Sequence, residues 1–167
     1  MRTVTLSPPR PIQADHDLSQ FDSGRPILDD WLRQRAIKNE GSGAPRTYVV
    51  CEGPRVVGYY CLSTGSVENK QTPGKVSRNM PDPIPVMLMG RLAVDRSQQE
   101  KGLGRALLKD AILRTLKAAE IAGMRALLVH ALDEKAAGFY RHNGFLVSPI
   151  DPLVLMLPLD TARRALE

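Results

Sequence analysis

Residues 88–105 constrain this chain more than any other stretch. An apolar run, Leu88-Met89-Gly90-Arg91-Leu92-Ala93-Val94-Asp95, leads through Gln99-Glu100-Lys101-Gly102-Leu103-Gly104-Arg105 into a helical pattern. Such a passage delivers a short glycine-containing turn from a strand to the start of a helix. The first N–H groups of a helix have no intrahelical partner and its aligned dipoles leave positive potential there, so the turn is a socket for a phosphate-bearing ligand. Glycine at 102 and 104 lets the backbone turn tightly and come close to that ligand. Arg105 reads either as a phosphate contact or as an ordinary solvated helix residue.

Two familiar phosphate loops do not fit. A P-loop needs Gly-x-x-x-x-Gly-Lys-Ser/Thr, but Gly104 is followed by Arg105-Ala106, with no hydroxyl for magnesium. A dinucleotide fingerprint needs a third glycine where Leu107 stands, and it needs the first strand of the fold, which this one is not. What remains is Gln/Arg-x-x-Gly-x-Gly/Ala, matched by Gln99, Glu100, Lys101, Gly102, Leu103 and Gly104.

The frame around this loop is read from periodicity. Ser23 as a cap and Pro26 in the first turn open a helix that ends near Glu40, with Ile27, Leu28, Trp31 and Leu32 on one face. Thr47–Cys51 and Val56–Leu62 form a hairpin, and residues 65–85, rich in proline and glycine, are an irregular segment shaping one wall of the site. Val86–Val94 is a central strand, Gly102–Ala119 an amphipathic helix, Met124–Ala131 a buried strand and Glu134–His142 a short helix stopped by Gly144. Phe145–Val147 and Leu153–Leu157 form a last strand pair. This order gives an α/β (α+β) class, a mixed central sheet with helices on both faces, in one domain spanning residues 1–167.

Composition narrows the partners without choosing one. The excess of 23 Lys and Arg over 18 Asp and Glu, +5, permits a nucleic-acid partner but does not demand it. Cys51 and Cys61 lie in apolar strands and read as buried free thiols of a reducing compartment. No secretory segment opens the chain and no apolar run reaches 18 residues, so the expectation is a cytoplasmic protein without a membrane partner.

The loop after Leu92-Ala93-Val94 resembles that of the GNAT superfamily of acyltransferases. The resemblance continues through Asp133-Glu134-Lys135-Ala136-Ala137-Gly138-Phe139-Tyr140 to Gly144-Phe145. It implies a sheet splayed at an acetyl-coenzyme A site, with the diphosphate on the Gln99–Arg105 loop and the acetyl arm along Leu92, Ala93 and Val94. Asp133, Ala136 and Phe139 would border the donor, Asp133 standing where many relatives have asparagine. Tyr140 would serve the thioester sulfur as catalytic acid, and no metal is implied.

Over roughly residues 15–159 the chain is similar to one branch, the toxin acetyltransferases of bacterial toxin-antitoxin pairs. Phe21-Asp22-Ser23-Gly24, Leu28-Asp29-Asp30-Trp31-Leu32, Gly90-Arg91-Leu92 and above all Arg78-Asn79-Met80-Pro81-Asp82-Pro83-Ile84-Pro85 carry that likeness. The branch implies acetylation of the α-amino group of aminoacyl-tRNA, a ribbon-helix-helix antitoxin, operator DNA bound only through the antitoxin complex, and a homodimer. Arg91, Arg78, Lys75, Lys70, Arg33 and Lys38 are the candidate tRNA contacts, each also readable as a solvated surface cation. His130 and His142 are weak candidates for a base. The competing readings are a GNAT enzyme acting on a protein amino terminus, lysine or small amine, and a non-catalytic subunit that only holds coenzyme A.

Overall fold

The structure, a computed structural model, describes residues 5–43 and 45–166. Strands β1 (Arg10–Pro11), β2 (Arg46–Glu52), β3 (Arg55–Val67), β4 (Ile84–Val94), β5 (Ala126–His130), β6 (Leu146–Val147) and β7 (Val154–Pro158) are ordered β1-β2-β3-β4-β5-β7-β6 in one sheet. The sheet is mixed: β4 and β5 are parallel, while β1–β2, β2–β3, β5–β7 and β6–β7 are antiparallel. Helices α1 (Pro26–Trp31), α2 (Ile37–Ser42), α3 (Gly74–Ser77), α4 (Leu103–Ala119), α5 (Glu134–His142) and α6 (Leu159–Ala165) flank it. The contacts divide the chain into two compact units, Met1–Ser63 with Gly90–Ala111, and Thr64–Met89 with Ile112–Glu167.

In the first unit the hairpin β2–β3 forms as its turn chemistry predicts, with Tyr48 opposite Tyr60 and Glu52 opposite Arg55. The two-residue β1, too short for any period to reveal, adds itself outside β2 through Arg10↔Val49 and Pro11↔Tyr48. An edge is where a proline without an N–H belongs. Pro26 opens α1, but the cap residue is Arg25 and makes no side-chain cap bond. Ser23 is thus not the expected cap. Its Oγ instead donates to Asp29 at 2.6 Å and accepts the Arg25 N–H at 3.2 Å. The helix passes through a π-turn at Leu32–Ala36 into α2, where Gly43, at φ 77°, stops it.

Ile27 departs from the expected apolar face, being 65% exposed while Leu32 is fully buried. At about 100° per residue, Ile27 stands one step from Leu28 and still further round from Leu32, so a face centred on those two leaves it outside. The core here joins Phe21, Leu32, Ala36, Val49, Val56 and Tyr59 with Ala93 of β4. Burying each large apolar side chain contributes about 1.5–3 kcal/mol.

In the second unit β4 pairs with β5 from Val86↔Ala126 to Met89↔Val129, and β4 then continues to Val94. Val67, Val76, Ile84, Val86, Ala126, Leu128 and Met156 form its core. The segment expected to be irregular begins inside β3 and also contains a turn of 3₁₀ helix at Asn69–Gln71 and α3. Arg125 fastens α3 and α6: its guanidinium donates to the carbonyls of Val76 and Lys75 and pairs with Asp160 at 3.2 Å. Helix α6, for which the sequence reading has no counterpart, follows β7 directly and buries Leu159 and Ala162.

Candidate active site

The phosphate-loop candidates lie in the first unit. Val94 ends β4, Arg96–Gln98 form a 3₁₀ turn, and α4 begins at Leu103. Between them the backbone enters the left-handed region twice, at Glu100 (φ 62°) and Gly102 (φ 85°). That conformation costs an L-residue about 1–2 kcal/mol, and at 102 glycine removes the cost. A Cβ at 102 would meet open space, so backbone conformation and not crowding requires glycine there.

Beyond Gly102 the helix closes its first bond from Ala106 N–H to the Gly102 carbonyl at 3.1 Å. By helix geometry the N–H groups of Leu103, Gly104 and Arg105 precede that ladder. The first turn of α4 holds no acidic residue, and the side chains of Lys101 and Arg105 are exposed beside it. A 17-residue helix opening in this way suits a diphosphate. The Gln99 side chain has a task within the fold. Its amide donates to the carbonyls of Ser23 (2.8 Å) and Val94 (2.9 Å), so it fastens the loop to the chain.

Tyr140 lies in the second unit, on α5. It is 7% exposed, and its ring packs between Phe139 and Phe145 at centroid distances of 5.3 and 5.4 Å. Gly144 at φ 91° follows the helix, and Phe145 returns to it, its N–H donating to the Tyr140 carbonyl at 3.1 Å. Asp133 caps α5, accepting the Ala136 N–H at 2.9 Å. This gives Asp133 and Ala136 a structural task at the place where donor contacts are expected. His130 is exposed at the end of β5 and His142 exposed at the end of α5.

Comparison with known proteins decides what this loop and tyrosine belong to. Residues 44–147 match the acetyltransferase (GNAT) domain family. The tRNA-acetylating toxin of Mycobacterium tuberculosis is 53% identical over 157 residues, spanning 94% of this chain and 95% of that protein. The chain belongs to the GNAT acetyltransferases. Within them it is similar to AtaT in complex with acetyl-methionyl-tRNAfMet (TM-score 0.90, 29% identity, 98% of this chain and 100% of that one). It is also similar to a tyrosine-to-phenylalanine mutant of the AtaT toxin bound to the C-terminus of the antitoxin AtaR and acetyl-CoA (TM-score 0.83, 29% identity, 96% and 97%).

For a GNAT acetyltransferase the basic candidates divide by what already holds them. Arg33 is engaged, donating to the Phe21 carbonyl at 2.7 Å and to Asp30 at 3.3 Å. Lys70 pairs with Glu68 at 3.3 Å, a surface contact worth little. Lys38, Lys75 and Arg78 are exposed. Arg91 is half-buried and stacks its guanidinium on Trp31, 4.2 Å from the ring centroid. Trp31 stacks in turn on Tyr59, whose hydroxyl donates to the Leu28 carbonyl at 2.6 Å; burial pushes that phenol's pKa far up.

Both thiols of this acetyltransferase are free and buried, and burial raises the pKa of each. Among the described residues no group of three His, Cys, Asp or Glu could hold a metal, and no helix is long and apolar enough to cross a membrane.

Asp95, absent from the candidates the sequence offers, is 2% exposed. Burial pushes its carboxyl up, but hydrogen bonds from Ser97 and the Asp22 N–H, with the Arg55 guanidinium, outweigh burial and hold it below the ordinary aspartate value. The partners come from positions 22, 55 and 97, and only the capping of the turn by residue 95 itself was visible as a local signal.

Proposed function

We propose that this GNAT acetyltransferase is the toxin of a toxin-antitoxin pair and moves the acetyl group of acetyl-coenzyme A to the α-amino group of aminoacyl-tRNA, blocking its use in translation. The observation that carries the reading is the 53% identity, over 94% of the chain, to a tRNA-acetylating toxin. The loop supports the donor half: residues 99–105 bind the diphosphate through backbone N–H groups, and Leu92, Ala93 and Val94 align the acetyl arm. Asp133, Ala136 and Phe139 line the donor's approach to Tyr140. The whole chain, residues 1–167, acts as one catalytic domain.

The chemistry asks little of the protein beyond placement. An α-amino group has a reference pKa of about 7.7–8.0, and esterification of the neighbouring carboxyl lowers it, so a neutral amine is present without a strong base. The amine forms a C–N bond with the thioester carbon, the C–S bond breaks, and the departing thiolate takes the proton of the Tyr140 hydroxyl. The proton shed by the nitrogen restores the Tyr140 phenolate to the phenol, directly or through solvent. Proton delivery of this kind contributes about 10²–10⁴-fold, and holding amine and thioester in line contributes the rest.

Arg91, Arg78, Lys75, Lys70 and Lys38 supply the phosphate contacts for tRNA; Arg33 contributes less, because its guanidinium is already bonded. A small ribbon-helix-helix antitoxin neutralises the enzyme, the complex binds operator DNA through the antitoxin, and the toxin itself is a cytoplasmic homodimer without a membrane partner. Incubation with acetyl-coenzyme A and a mixed pool of charged tRNA, followed by mass analysis of the 3′-terminal aminoacyl-adenosine, tests the reaction. Acetylated adducts are the expected result. Acetylated lysine peptides or small amines in their place would overturn it.

A further inference from the structure

The loop that serves the diphosphate is fastened by side chains that need not touch the donor. Asp95 Oδ1 accepts the Asp22 N–H at 2.8 Å, while its Oδ2 accepts the Ser97 N–H at 3.0 Å, the Ser97 hydroxyl at 2.7 Å and the Arg55 guanidinium at 3.1 Å. Four donors thus converge on one carboxylate directly before the loop. Four residues on, the Gln99 amide ties the start of the loop to the Ser23 and Val94 carbonyls. The Arg96 N–H donates to the Asp22 carbonyl at 2.8 Å, and the Arg96 guanidinium pairs with the Asp22 carboxylate at 3.2 Å. The turn Asp22–Gly24, far away in sequence, is thereby stitched along the loop's entry.

A site made of backbone N–H groups binds only as well as its backbone is fixed beforehand. This loop carries a non-glycine residue, Glu100, at φ 62°, a conformation a free loop would seldom hold. Resting on the acetyl-coenzyme A reading above, we propose that Asp95 and Gln99 are positioning residues, a two-point clasp between the Asp22–Gly24 turn and the phosphate loop that sets the N–H groups of residues 102–105 for the donor's diphosphate. In an asparagine at 95 one acceptor oxygen becomes an NH₂ facing donors, so an isosteric change breaks the clasp.

Asp95→Asn and Gln99→Ala in the full chain test this, with acetyl-coenzyme A and with acetyl-pantetheine, which has the same thioester and no diphosphate. KM for acetyl-coenzyme A rises about tenfold or more in Asp95→Asn and about threefold in Gln99→Ala, since disturbing a buried carboxylate on which four donors converge costs more than removing an exposed amide. The KM for aminoacyl-tRNA and kcat stay unchanged, and with acetyl-pantetheine wild type and variants coincide. A fall in kcat with both donors would mean a merely structural role and overturn the proposal. So would an unchanged KM for acetyl-coenzyme A in Gln99→Ala, which decides the matter alone if Asp95→Asn does not fold. A wild type that uses acetyl-coenzyme A no better than acetyl-pantetheine would bring down the donor reading itself, and the clasp with it.

Discussion

Helices α4 and α5 begin in opposite ways. Each start gathers N–H groups that its own ladder cannot use, and each follows a strand of the sheet. At α5 the chain answers from within: Asp133 accepts the Ala136 N–H, and Glu134 adds a negative charge in the first turn. At α4 the first turn has no acidic residue, two left-handed residues precede it, and Lys101 and Arg105 lie exposed alongside. The chain's own carboxylate closes one end, whereas the other is shaped to favour an anion from outside. The contrast separates a helix start closed by the fold itself from one left open; under the proposed function Tyr140 rides on the first kind and the donor's diphosphate binds at the second.

The largest effect expected is at Tyr140. Tyr140→Phe keeps the packing with Phe139 and Phe145 but removes the hydroxyl, so turnover falls by about 10²-fold or more while acetyl-coenzyme A affinity persists. Undiminished turnover in a single-turnover assay would move the proton source elsewhere.

Next comes the α4 start. Gly102→Ala forces a Cβ into φ 85°, at about 1–2 kcal/mol, and is expected to weaken acetyl-coenzyme A binding in calorimetry by about tenfold. The matching change at the α5 start, Asp133→Ala, is expected to lower unfolding free energy by about 1 kcal/mol in a urea titration, with Asp133→Asn near wild type because asparagine also caps. If Asp133→Asn instead loses affinity for the nucleotide diphosphate with stability intact, the α5 start serves the diphosphate too and the contrast between the two helices narrows.

Asp95 gives the pH arm. Its folded pKa is depressed, so the stability it contributes is fully present above the ordinary aspartate value of about 3.9 and is lost as pH falls through the lower folded value. The stability gap between wild type and Asp95→Asn should therefore hold from neutral pH down to the ordinary carboxylate range and close only below it. A gap that closes near neutrality would assign the effect to another group.

The smallest effects belong to single surface cations. Lys75→Ala and Arg78→Ala are each expected to weaken tRNA binding and to reduce the salt slope by about one counterion, as measured by filter binding across a salt series.

Much of this contrast is legible in the sequence because helix starts are local. Glycine at 102 is a signal within one turn of the feature it creates, whereas Asp133, read in the sequence only as bordering the donor, caps its own helix. The hairpin and the central strand are legible for the same reason, since their period lies in consecutive residues. What escapes is assembled across the chain. Asp95 draws its donors from residues 22, 55 and 97, Gln99 reaches back to Ser23, and Arg91 lies on Trp31, pairings that no spacing announces. Ile27 is apolar enough for the core, but the helix turns its face to Leu28 and Leu32. The basic residues were visible as charges, yet the sequence could not say that the Arg33 guanidinium is bonded to a backbone carbonyl while Lys38 extends into solvent.

The comparison of the two helix starts can be settled by amide chemical-shift mapping, recorded once with coenzyme A and once with pantetheine, so that the difference reports the nucleotide diphosphate alone. The difference is expected to be largest at the N–H groups of Gly102, Leu103, Gly104 and Arg105 and negligible at Glu134–Ala136. Shifts concentrated at the start of α5, with residues 102–105 unmoved, would contradict it.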